Sequence, residues 1–146
     1  MRRIASTLIA LIITTWVASA QESMNMVELG YWDWPEALSD VRGAALNGHE
    51  YALLGSYTGL SIIDVTDPTD LEEVAWFGGP GSTWRDPFYY NGHAYCVTEG
   101  GGGMLIVDMT PLPGNTNLQS TYYTGDNYTF GSAHNMFIDE NGIAFI

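Results

Sequence analysis

Along this chain the apolar positions fall in short runs of four to eight residues, separated by clusters of Gly, Asn, Asp, Pro and Thr. Runs of that length, rich in β-branched and aromatic residues and closed by turn residues, predict strands. Beyond the N-terminal leader, no stretch longer than a turn carries a 3.6-residue apolar period, so the pattern predicts an all-β fold. The run Gly103–Thr110, Gly-Met-Leu-Ile-Val-Asp-Met-Thr, has a copy 44 residues earlier in Gly59–Thr66, Gly-Leu-Ser-Ile-Ile-Asp-Val-Thr. The same offset carries Asn47-Gly48-His49 onto Asn91-Gly92-His93 and Tyr51 onto Tyr95. One offset shared by separate segments marks a repeated structural unit.

Each unit reads as four antiparallel strands joined by short loops. In the first, Val41–Leu46 leads through Asn47-Gly48, a hairpin signal because both residues tolerate positive φ, into Glu50–Ser56, Leu60–Val65 and Leu71–Phe77. The second runs through Arg85–Tyr90, Ala94–Thr98, Met104–Met109 and Gln119–Tyr123. A third opens at His134, with strands expected over Asn135–Asp139 and Ile143–Ile146 around Asn141-Gly142. Met26–Trp32 shares the acidic start and closing aromatics of Glu72–Phe77, which predicts an outer strand of the same kind, placed to close a ring.

Ile62-Ile63 and Ile106-Val107 put apolar side chains on both faces of one strand, so each sheet needs a cover on both sides. Four-stranded repeats of 40 to 50 residues that cover one another are the blades of a β-propeller. The expected architecture is a partial β-propeller of about two blades plus the start of a third. Its parts are a signal peptide over 1–20, an outer closing strand over 26–32, blades over 40–77 and 84–123, and the start of a blade over 134–146. An open β-sandwich is the rival, and it would not require a fixed offset.

Met1-Arg2-Arg3, the apolar run Ile4–Val17 and Ala18-Ser19-Ala20 together read as a secretory signal peptide with its cleavage site. The run is shorter than the roughly 20 residues of a spanning helix, so no membrane insertion is expected after cleavage. The chain carries a formal charge of −13, and loss of Arg2 and Arg3 leaves −15, with Arg42 and Arg85 as the basic residues of the mature part. Nucleic acid and anionic membrane surfaces are excluded as partners, because both require clustered Lys and Arg. Cys96 is the single cysteine; it makes no internal disulfide and reads as a small buried side chain. The final residues Gly142–Ile146 form an apolar strand pattern without a turn or polar tail, the pattern expected of an N-terminal portion of a longer protein.

The strands Leu60-Ser61-Ile62-Ile63-Asp64 and Met104-Leu105-Ile106-Val107-Asp108 resemble the LVIVD repeat. The landmarks Asn25-Met26, Leu29-Gly30-Tyr31-Trp32, Ser39-Asp40-Val41, Asp64–Pro68, Trp84-Arg85-Asp86, Glu99 with its glycine run, and Gly131–Asn135 resemble, in that order, the bacterial choice-of-anchor B family. The resemblance implies a secreted, propeller-like repeat protein held at the cell surface by a C-terminal anchor, which would lie beyond Ile146, and it implies no established reaction. Pro87 stands where an apolar residue usually follows the Asp. A proline there removes a ladder donor and predicts an irregular inner strand.

Trp84-Arg85-Asp86, His134-Asn135 and Asp40-Val41-Arg42 occupy equivalent places at the start of each unit's first strand. In a propeller that strand is innermost, so Asp40, Arg42, Trp84, Arg85, Asp86, His134 and Asn135 are the candidates for a binding site at the mouth of the channel. The simplest alternative is that Arg–Asp pairs between blades satisfy each other. His134 is a candidate metal ligand whose partners would come from other blades, with a divalent cation as the cofactor then implied. His49 and His93 read as exposed turn residues, and Asp64, Asp67 and Asp108 as turn carboxylates bonded to backbone amides rather than calcium ligands. No catalytic residue is assigned. The reading favoured is a noncatalytic surface module that binds a protein or glycan. The alternatives are a hydrolase or lyase with His134 and Asp86 as acid and base and Arg85 on an anionic substrate, or an acidic envelope protein with no specific ligand.

Overall fold

A computed structural model describes residues 25–146; the signal peptide expected over 1–20 lies outside the described residues. The first sheet consists of β1 (Leu38–Leu46), β2 (His49–Ser56), β3 (Gly59–Asp64) and β4 (Glu72–Gly78), in that order and all antiparallel. The second repeats it with β5 (Arg85–Tyr90), β6 (His93–Thr98), β7 (Met104–Asp108) and β8 (Ser120–Tyr123). A third unit opens as the hairpin β9 (Phe137–Ile138) and β10 (Ala144–Phe145). The described residues contain no helix. The fold is all-β, a partial β-propeller of four-stranded antiparallel blades whose ring is not closed.

The turns follow from local chemistry. Asn47 and Gly48 lie at φ 54° and 82°, and Asn91 and Gly92 at 46° and 80°. This pair of positive values is the hairpin turn whose twist matches that of the flanking strands. The third turn differs. Only Gly142 is positive, at 80°, and Asp139 accepts from the amides of Asn141 and Ile143. The same two letters close a turn in each unit, but the third turn is set by an aspartate side chain and its strands are only two residues long.

The two sheets pack face to face. Tyr51, Leu53, Leu60 and Ile62 of the first meet Ala94, Cys96, Leu105 and Val107 of the second in one buried cluster. The alternate positions of the second sheet, Phe88, Val97 and Met104, form another cluster with Met136 and Ile138 of the third unit. Each fully buried Leu or Ile contributes about 1.5–3 kcal/mol, against about 1 kcal/mol for a neutral hydrogen bond. Apolar contact therefore dominates the interface, and polar contacts set its register. Asn47 Nδ2 donates across it to Leu112 O at 2.6 Å, and Tyr89 Oη donates to Ala45 O at 3.3 Å. β2 and β5 approach closely at Gly55: a Cβ there would lie 2.7 Å from Arg85 O, so only glycine allows the sheets this near.

Met26–Trp32 forms no strand among the described residues, and the last blade whose outer strand it was expected to be is not among them. Gly30 lies against Pro68 O, Trp32 stacks on Trp34 at 6.4 Å and Trp34 meets Trp76 at 5.6 Å, while Met26, Val27, Leu29 and Tyr31 stay exposed. A strand needs a partner ladder, and no described strand pairs with this segment; an alternating aromatic pattern alone does not supply one. Conversely, Pro87 leaves β5 regular, paired without interruption from Arg85↔Thr98 to Tyr90↔His93. β5 is the edge strand of its sheet, and an edge strand can turn a missing N–H away from the ladder.

The outermost surfaces remain apolar. Leu38 and Val41 on the first strand, and Phe137, Ile143, Phe145 and Ile146 on the third unit, are each at least half exposed. Residues 21–146 made alone should bind a hydrophobic dye, and Phe145→Asp should lower that signal. A monomeric chain that melts cooperatively and binds no dye would contradict this account of the exposed faces.

Candidate functional site

Three units deliver their first-strand ends to one place. Ser39 and Asp40 at β1, Trp84, Arg85 and Asp86 at β5, and His134 and Asn135 ahead of β9 line a cavity of about 180 Å³. Asp40, Trp84 and His134 are equivalent positions of the three units, so the repeat itself stacks them side by side. Of the seven candidates read from the sequence, six line the cavity. Arg42 does not: its guanidinium lies 4.0 Å over the Phe88 ring, held by the ring's negative face.

Arg85 borders the cavity but turns its charge away from it. The residue is only 4 % exposed. Its Nε donates to Ser56 O at 2.8 Å, and its Nη2 donates to the carbonyls of Pro80 and Tyr57. Its own amide donates to Ser39 Oγ at 2.8 Å. The guanidinium therefore fastens the second blade to the β2–β3 turn of the first and is not free to hold an anion. The expected Arg–Asp pairing is also corrected. Among the described residues the ion pairs within 4.0 Å all use histidine. The backbone carbonyls of Ser56, Tyr57 and Pro80 take the place of the carboxylate.

Asp86 lies at the base of the site. Its Oδ2 accepts from Met136 N at 2.6 Å, which ties the third unit to the second. Burial raises its pKa above the ordinary 3.8; the adjacent Asp40 carboxylate adds to the rise, and the Met136 amide and the Arg42 charge oppose it. His134 sits on the rim with its ring 4.8 Å from the Trp84 indole. Its Nδ1 lies 2.8 Å from Glu99 Oε1. A carboxylate only accepts, so Nδ1 carries the proton of that bond. With Nδ1 so engaged, Nε2 is the atom that would bind a metal, but the described residues bring together no group of three or more His, Cys, Asp or Glu that could hold one.

Ser39 and Glu99 are the residues that the sequence reading did not place in the site. Glu99 holds the position that Gly55 holds in the first unit, and that change from glycine to carboxylate was the available signal. A second repeated pair was also missed. His49 Nδ1 meets Asp64 Oδ2 at 2.9 Å and His93 Nε2 stands 3.9 Å from Asp108 Oδ1, so both histidines face the aspartate that ends the third strand. Asp64, Asp67 and Asp108 accept the amides of Thr66, Thr69 and Thr110 at 2.9 Å, which accounts for them as turn carboxylates. Cys96 is buried, and burial pushes its thiol up to about 12, so it stays protonated and inert.

The fold and site together define a class: a repeat protein of stacked four-stranded blades with a polar cavity at the inner-strand ends. No family model, curated protein or solved structure matches the chain.

Two outcomes test the geometry. Arg85→Ala leaves buried carbonyls without donors and should destabilise the chain by about 3 kcal/mol in chemical denaturation; a loss below about 1 kcal/mol would show that the latch is not formed. A raised carboxyl pKa stabilises fully below the unfolded value and loses that contribution as pH rises through the folded value. Asp86 is such a group, raised first by burial, and Asp40→Asn removes only the Asp40 share of that rise, so the variant should gain stability over the parent as pH rises from about 3 to 7, with the two curves converging at low pH. The lowered pKa values of Asp64 and Asp108, which follow from their turn hydrogen bonds, act in the opposite sense but are common to both proteins.

Proposed function

We propose that this chain is a noncatalytic binding module whose ligand enters the cavity at the inner-strand ends. The observation that carries the reading is the convergence of three successive units on that cavity, with Asp40, Trp84 and His134 from equivalent positions. The polar groups already have structural tasks. Asp86 holds the Met136 amide, Glu99 holds His134, and Arg85 holds the first blade. A scaffold so committed presents a fixed surface, which suits recognition. The N-terminal leader pattern and the resemblance to choice-of-anchor B proteins support export and display at a bacterial cell surface, with a protein or glycan as the partner.

The enzyme reading keeps one observation in its favour: Asp86, whose pKa burial raises, and His134 line the same cavity. A panel of glycans, peptides and small metabolites, screened by thermal shift on the parent chain and on Trp84→Ala, separates the two. Binding predicts compounds that stabilise the parent and not the variant and that are recovered unchanged by mass spectrometry. Conversion of a stabilising compound would establish the enzyme instead.

A further inference from the structure

The mouth has an asymmetry of charge. Asp40 and Asp86 line it, and Glu99 stands behind His134. Both arginines near it are engaged by other groups, Arg85 on the carbonyls of Ser56 and Pro80 and Arg42 on the Phe88 ring. The lining therefore holds two carboxylates, and the Arg42 charge acts on Asp86 from over the Phe88 ring. The cavity wall is also aromatic: the Trp84 indole, 52 % exposed, lies beside the two carboxylates with His134 packed on it. An exposed indole beside paired carboxylates attracts a cation twice, through the ring's negative face and through charge. The cavity of about 180 Å³ falls below the roughly 300–1,000 Å³ of pockets that enclose drug-sized ligands. It has room for a head group and not for an extended molecule.

We infer that the cavity formed by Asp40, Trp84, Asp86 and His134 binds an organic ammonium group. This deepens the binding reading above and rests on it. A bare metal ion would use the carboxylates alone and leave the indole idle. A neutral sugar would use the indole but gain nothing from the carboxylates' charge. An ammonium group uses both. It could be the side chain of a peptide lysine or a free quaternary amine, and the two differ in whether they donate hydrogen bonds to the carboxylates.

The test is a titration of the chain followed by the NMR signals of its indole N–H groups, with Trp84 assigned from Trp84→Phe. The probes are tetramethylammonium, N-acetyl-lysine methylamide, calcium and methyl glucoside, at matched ionic strength. A saturable shift of the Trp84 signal with either ammonium probe is expected, and the probe that binds identifies the source. Trp84→Ala and Asp40→Asn, neither of which removes the Asp86–Met136 bond, should each weaken it about tenfold. Trp84→Phe, which keeps a ring, should retain most of the affinity when followed by calorimetry. A response to calcium alone, or to the glucoside alone, would overturn the ammonium assignment and leave the cavity a binding site for another class. Silence toward every probe here, together with hits in the wider panel that depend on Trp84, would likewise overturn the assignment alone. Silence in both experiments would overturn the binding reading as well.

Discussion

Two-sided burial is the constraint on which the structure depends. A four-stranded sheet with Ile62-Ile63 or Ile106-Val107 at its centre has no polar face to offer water. Each of its faces calls for a neighbour to cover it. The second sheet meets this condition, with the first blade against Ala94, Cys96, Leu105 and Val107 and the third unit against Phe88, Val97 and Met104. Stacking then follows from strand chemistry alone. The aligned ends of the inner strands are a by-product of that stacking, and the cavity is where they meet.

Polar contacts act on this apolar stack as register pins. Arg85, Asn47, Ser39 and Asp86 each bond across a boundary between units. A buried guanidinium is normally matched to a carboxylate, yet Arg85 is matched to carbonyls supplied by the β2–β3 turn and Pro80. That choice has an electrical result. It leaves Asp40 beside Asp86, whose pKa burial raises and the neighbouring carboxylate raises further against the Met136 amide and the Arg42 charge. The structural solution to the blade contact thus sets the chemical character of the mouth.

Much of this was legible in the residues, and particular positions show why. The Asn-Gly turns at 47–48 and 91–92 and the strands they join were readable because turn geometry depends on φ at two residues. The site residues at 40, 84 and 134 were readable because a repeat places equivalent positions together whatever the side chains are. Met26–Trp32 is not a strand among the described residues, because a strand is defined by a partner and the blade expected to supply one is not among them. The regularity of β5 around Pro87 was misjudged for the same reason: whether a missing donor matters depends on which side of the strand is an edge.

By itself, then, the sequence determined the all-β character, the strand order within each unit, the turns, and which residues gather at the inner ends, since all of these rest on local conformation and on a fixed repeat offset. Tertiary structure alone decided where the charges point. The path of the Arg85 guanidinium into the first blade, Arg42 onto Phe88 and His134 onto Glu99 is set by groups distant in the chain. Long side chains with many rotamers take their direction from whichever partner the packing brings within reach, and no local pattern specifies that partner.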